Sequence, residues 1–130
     1  MMAFAPSSRH TVASLRAARG RYSFAMLRVE TLDETAAAEA AGVELLSVPP
    51  AMIRDPRFRA VAPNAFTFPG DNFYEIGGPD DFLKWAFPLL RHGADAVYCS
   101  GAISTVRLLA EHGVAVCGLP RMALNERVTG

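Results

Sequence analysis

The chain has 130 residues, 51% of them hydrophobic, enough to bury one core but well short of the roughly 250 residues of a complete (β/α)8 barrel. Thirteen basic residues balance thirteen acidic ones, so no surplus of positive charge is available to hold nucleic acid or an anionic membrane surface. No apolar run approaches the roughly 20 residues of a membrane-spanning helix and residues 3–5 are too short for a signal-peptide core, which predicts a soluble, cytoplasmic protein.

In chain order, residues 1–10 read as a flexible leader, residues 11–118 as one domain and residues 119–130 as a tail with no further strand. Residues 1–29 carry five arginines and no acid, the bias of an organelle transit peptide, yet Thr11 is equally able to cap a helix through Ala18 that stops at Gly20. Residues 22–29 follow as a first strand. Asp33 and Glu34 then open an alanine-rich helix, favourably placed at the positive end of its dipole. Three times a run of helix formers ends at a glycine and passes into a short apolar run, at Gly42, Gly93 and Gly113. A glycine there can take the left-handed conformation that closes a helix, and the apolar run suits a strand of a covered parallel sheet.

Residues 43–48 make the second strand, ended by Pro49 and Pro50. Residues 51–62, interrupted by Pro56, are too short for a full crossover helix. Residues 64–68 make the third strand, followed by a glycine-rich loop over residues 69–78. A helix starts at Pro79, with Asp80 and Asp81 in its first turn and Phe82, Trp85, Phe87, Leu89 and Leu90 as its apolar surface; Pro88 is expected to kink it. Residues 94–99 form the fourth strand, 102–112 a helix and 115–118 the fifth strand. The fold class is therefore α/β, built from parallel βα units, with chemistry expected at the carboxyl ends of the strands. Cys99 and Cys117 fall within predicted buried strands and form no metal or disulfide motif. His92 and His112 each precede a helix-ending glycine, where a cation suits the helix dipole, so neither is read as catalytic.

The order TVASLRAARG, AEAAGVELLSV, the PN-strand-GDNF segment, GADAVYCSGA and EHGVAVCG resembles ketopantoate hydroxymethyltransferase, a (β/α)8 barrel family of the phosphoenolpyruvate mutase and isocitrate lyase superfamily. The resemblance runs from Thr11 to Gly118 and is strongest from Pro79 onward. It covers the first five strands of such a barrel. It implies transfer of a hydroxymethyl group from methylenetetrahydrofolate to 3-methyl-2-oxobutanoate, in pantothenate biosynthesis, with Mg2+ polarising the keto acid.

The family's metal ligands are matched poorly. Its second strand ends in V-G-D-S, where this chain has Val48, Pro49, Pro50 and Ala51. Its third-strand aspartate falls on Gly70, with Asp71 one residue later. Its K-x-E-G-G is Tyr98, Cys99, Ser100, Gly101 and Ala102, and its base carboxylate lies beyond Gly130. A rebuilt cation site would draw on Glu30, Asp71 and Glu75, hard oxygen ligands at one predicted face, although the same residues suit solvated loops and turns. Tyr98 and Ser100 face away from Cys99 in a strand of period two and are the better candidates to contact a small acid, with the Ser100, Gly101, Ala102 turn offering backbone N–H groups. No catalytic residue is assigned. The alternative to a keto-acid enzyme is an inactive truncated barrel or a subunit whose open sheet edge pairs with other copies, and both readings predict a homo-oligomer.

Overall fold

The computed structural model describes residues 9–70, 76–99 and 102–118, with the main chain alone for Cys117 and Gly118. It is a mixed α/β structure. The elements alternate: α1 (Val12–Ala17), β1 (Met26–Arg28), α2 (Leu32–Ala40), β2 (Leu45–Val48), α3 (Pro50–Arg54), α4 (Phe58–Val61), β3 (Phe66–Pro69), α5 (Pro79–Arg91), β4 (Val97–Cys99), α6 (Ile103–Glu111) and β5 (Val116–Gly118). All strand pairs are parallel, in a three-stranded sheet ordered β1-β2-β3 and a two-stranded sheet β4-β5.

The helix-ending glycines behave as their sequence context dictates. At Gly42 and Gly93 the backbone φ is +80° and +108°. The N–H of the residue beyond each glycine reaches back to the carbonyl at the helix's last turn, Val43 to Ala38 and Ala94 to Leu89. This Schellman closure satisfies carbonyls that the helix leaves orphaned, and it turns the chain directly into the next strand. Gly113 repeats it, with Val114 bonded to Leu109.

One face of the strands is covered by helices. Val29, Leu46, Val48, Met52, Ile53, Phe58 and Leu89 form the largest apolar cluster, between the three-stranded sheet and α2 to α5. Phe82, Ala86, Val97, Cys99 and Leu109 form a second between β4, α5 and α6, and Trp85 and Leu90 pack against both. The opposite face carries Leu45, Phe66, Phe68, Ala96, Tyr98 and Ala115, against which Val12 and Leu15 of α1 pack. Period-two alternation thus separates the two faces, with Cys99 on the helix side and Tyr98 on the other.

Several elements differ from the sequence expectation. β1 is only three residues, all exposed, because the chain before it turns back: Tyr22 N–H bonds Ala18 O, and the rings of His10, Tyr22 and Phe24 pack edge to face. The abbreviated crossover after β2 is two short helices hinged at Pro56. Phe87 is exposed and contributes no core, whereas Phe82 and Trp85 meet edge to face at 6.0 Å. α5 continues through Pro88 to Arg91.

A polar knot joins the two sheets. Arg59 on α4 donates to the carbonyls of Ala62, Ala65 and Gly93, to Thr67 Oγ1 and to Asp95 Oδ2, at 2.9 to 3.2 Å. Asp95 Oδ2 also accepts the Thr67 N–H at 2.9 Å, the place a β4 carbonyl would take in an uninterrupted ladder. In return Thr67 O accepts the N–H groups of Asp95 and Ala96. The carboxylate therefore replaces one rung, which is why the hydrogen-bond ladder divides here while the strands stay adjacent. Burial pulls the Arg59 guanidinium below its ordinary value, opposed mainly by the charge of Asp95. Among the described residues no buried side-chain nitrogen or oxygen lacks a hydrogen-bond partner.

Arg59→Met keeps the stem but removes the guanidinium's donors, leaving the carbonyls of Ala62, Ala65 and Gly93 without these bonds and Asp95 without its Arg59 partner. We expect a loss of about 2 to 4 kcal/mol in urea unfolding, and a double-mutant cycle with Asp95→Asn showing coupling of about 1 kcal/mol or more.

A second, exposed pair governs acid behaviour. The Arg57 guanidinium, aided by the Arg57 N–H, holds the Asp55 carboxyl below its ordinary 3.8, at about 2. A depressed carboxylate contributes stability that is complete above its unfolded value and lost as pH falls towards its folded one. Asp55→Asn should therefore flatten the fall in urea midpoint between pH 3.8 and about 2, leaving the neutral limb parallel to that of the wild type.

Candidate functional site

The carboxyl ends of β1, β2, β3 and β4 form a rim, and the residues on the face away from the helices reach it. Arg28 is the last residue of β1 and pairs in register with Ser47 of β2. Period two turns Arg28 away from Val29, which is buried among the helices. Its Nη1 donates to Ser47 Oγ at 3.2 Å and to Gly70 O at 3.4 Å, and its Nε donates to Glu30 Oε1 at 3.1 Å. Gly70 in turn lies against Tyr98: a Cβ built on Gly70 would sit 3.2 Å from Tyr98 Cβ. Arg28, Glu30, Ser47, Gly70 and Tyr98 thus form one continuous patch drawn from four strands.

The residues below this patch are apolar. Leu45, Phe66, Phe68 and Ala96 line a cavity of about 660 Å3 together with Val12, Leu15 and Arg16 of α1, and none of the five patch residues lines it. The patch offers one guanidinium, one carboxylate, two hydroxyls and a carbonyl above an aliphatic and aromatic floor. Such an arrangement suits a small ligand with a charged polar head and a compact apolar body.

Of the residues singled out from sequence, Glu30 and Tyr98 fall within the described structure and belong to this patch. Asp71, Glu75, Ser100 and Gly101 lie outside the described residues. Glu30 is exposed, and its carboxylate is turned on Arg28. Its backbone N–H is taken by Glu34 Oε1 at 2.7 Å. Cys99 is buried on the helix side. His112 Nδ1 donates to Leu108 O at 2.9 Å, the helix-terminal role its position predicts.

Arg28 and Ser47 were not evident as site residues in the sequence, where Arg28 counted only towards the basic bias of residues 1–29. The signal was there in the alternation: Arg28 precedes a buried valine at a strand end, so it faces the opposite side. Proline at positions 49 and 50 carries no side-chain donor, and β2 supplies its polar group one residue pair earlier, through Ser47.

Magnesium binds oxygen ligands at about 2.0 to 2.1 Å in a near-octahedral shell. Among the described residues no group of three or more His, Cys, Asp or Glu side chains is arranged to hold a metal. The rim oxygens of Glu30, Ser47 and Gly70 accept from the Arg28 guanidinium. A divalent ion among them would be repelled by that fixed positive charge, so these residues do not fit magnesium.

Comparison with family models and with curated proteins finds no match for this sequence. Among the described residues no helix is long and apolar enough to cross a membrane.

Replacing Gly70 by alanine should force Tyr98 outward at the rim. We expect Gly70→Ala to cost about 1 to 2 kcal/mol in thermal or urea unfolding, with most of that loss absent in a Tyr98→Ala background, where the added methyl has space.

Proposed function

We propose that this chain contributes the first five βα units of a (β/α)8 barrel of the ketopantoate hydroxymethyltransferase type, and that its strand-end rim receives a small 2-keto acid such as 3-methyl-2-oxobutanoate. The observation that carries the barrel reading is the order of the strands. Within each of the two sheets the strands neighbour one another in sequence order, every ladder is parallel, and α2 to α6 pack on one face. A doubly wound sheet reverses its strand order and covers both faces with helices, whereas a barrel keeps sequential order and turns one face inward. The Asp95 and Ala96 bonds to Thr67 support continuity from β3 to β4, across the divided ladder.

The rim supports the substrate class. A guanidinium forks onto a carboxylate, a hydroxyl can donate to a keto oxygen, and the floor of Leu45 and Phe68 suits a branched aliphatic body. The reaction breaks the C–H bond beside the carbonyl, and its electron pair attacks the methylene carbon carried by methylenetetrahydrofolate. Both C–N bonds to that carbon break as the two folate nitrogens take protons, one from the C–H and one from a water molecule, and that water supplies the hydroxyl oxygen of the new hydroxymethyl group. This chemistry belongs to a cytoplasmic biosynthetic enzyme, and the resemblance assigns the proton-abstracting carboxylate to the barrel's second half.

A second reading, a non-catalytic subunit that associates through its sheet edge, is favoured by β1. Met26 and Leu27 on this edge strand are 57% and 46% exposed, an invitation to a second copy.

Calorimetric titration separates the readings. The first expects 3-methyl-2-oxobutanoate to bind at least about tenfold more tightly than its 2-hydroxy counterpart, because the rim then pairs with a carbonyl oxygen. Exchange of the C3 proton with deuterated solvent above the buffer rate would add that the proton-abstracting group is present. Equal binding of keto and hydroxy acids would sink the keto-acid reading. Concentration-dependent sedimentation that is abolished by Leu27→Lys would instead support the edge-association reading.

A further inference from the structure

We infer that Arg28 takes over the electrostatic task of a divalent cation at this rim, so that a carboxylate ligand binds through the guanidinium and without metal. The inference rests on the small-acid reading above and deepens it by naming the binding group. Three observations carry it. The guanidinium contacts an oxygen from each of three strand ends, Glu30 after β1, Ser47 on β2 and Gly70 after β3. That is the convergence of oxygens a bound ion would require. These three oxygens are thereby committed to a charge that the fold itself supplies. Finally, the Arg28 side chain is 43% exposed, so it remains reachable from solvent.

The contacts also show which partner would yield. Ser47 lies on β2 and Gly70 directly follows its paired strand β3, and both position Nη1. Glu30 sits on the solvent side, 60% exposed, and reaches Nε from the end of the short edge strand. An exposed ion pair is worth little, about 0 to 1 kcal/mol, so a ligand carboxylate can displace Glu30 and accept a forked pair of N–H bonds from the same guanidinium. Glu30 is then a competitor occupying the anion position in the empty protein, and Arg28 is the binding residue. Its planar fork also fixes the carboxylate's orientation, directing the rest of the ligand towards Phe68 and Tyr98, on the same face.

The test is calorimetric titration of 3-methyl-2-oxobutanoate and of 3-methylbutanoate into the wild type, Arg28→Gln and Glu30→Gln, each with excess magnesium and with EDTA, circular dichroism confirming the fold of each variant. The inference expects wild-type affinity to be the same in magnesium and EDTA. It expects Arg28→Gln to weaken binding about tenfold or more, and Glu30→Gln to tighten it about two- to fivefold. Arg28→Lys should recover only part of the loss, since an ammonium lacks the fork. Binding that requires magnesium, or that survives Arg28→Gln at wild-type strength, would overturn the role of Arg28 while leaving the keto-acid reading intact. Equal affinity for the two acids with full dependence on Arg28 would do the reverse. Absence of binding by either acid would overturn both.

Discussion

The structure hangs on one carboxylate used twice. Asp95 stands in the β3 to β4 ladder as the acceptor for the Thr67 N–H and at the same time anchors Arg59, which gathers carbonyls from the ends of α4 and α5 and from the start of β3. Both groups are largely withdrawn from water, and each makes the other's burial tolerable. Arg9 reaches the second Asp95 oxygen at 3.5 Å, bringing the start of the chain into the same knot. Trp85 and Leu90 pack against both apolar clusters, and the knot adds a polar tie between the two sheets. With it, the spacing of β3 and β4 is fixed from below, and so is the approach of Tyr98 to Gly70 at the other end.

The rim above shows a different use of charge. Where a metal site would gather several acids and a cation, the described strand ends gather neutral oxygens and one acid about a cation built into the chain. The polar head of the site is thus held by β1, which among the described residues forms a ladder with β2 alone. This gives the site an asymmetry: a well-buried wall of β2, β3 and β4, and an exposed margin on which the charge sits. On the proposed reading, a small acid entering from the margin would meet the guanidinium before the apolar side chains of the same face.

Much of the framework was legible in the sequence because its causes are local. Gly42, Gly93 and Gly113 each follow a helical run and precede an apolar one, and Pro79 with Asp80 and Asp81 opens α5 as its chemistry requires. Residues 22–25 misled because aromatic residues beside an apolar run read as strand. In the structure their rings pair with one another and with His10, and the main chain turns back on α1. Arg59 was silent because three of its acceptors are main-chain carbonyls, which leave no mark on residue identity, and Asp95 lies 36 positions away. Cys99 was readable from strand period. The grouping of Arg28 with Ser47 and Gly70 needed the register between strands, which a single sequence does not specify.

The junction at Pro49 and Pro50 sets a boundary on how this protein can respond to a ligand. β2 ends at Val48 and α3 begins at Pro50, so a single residue with a ring-locked φ of -65° connects them. No slack exists at this corner to swing over an occupant. Any closure must come from other corners of the mouth, and tuning of affinity at the second strand must proceed by exchanging side chains on a stationary wall.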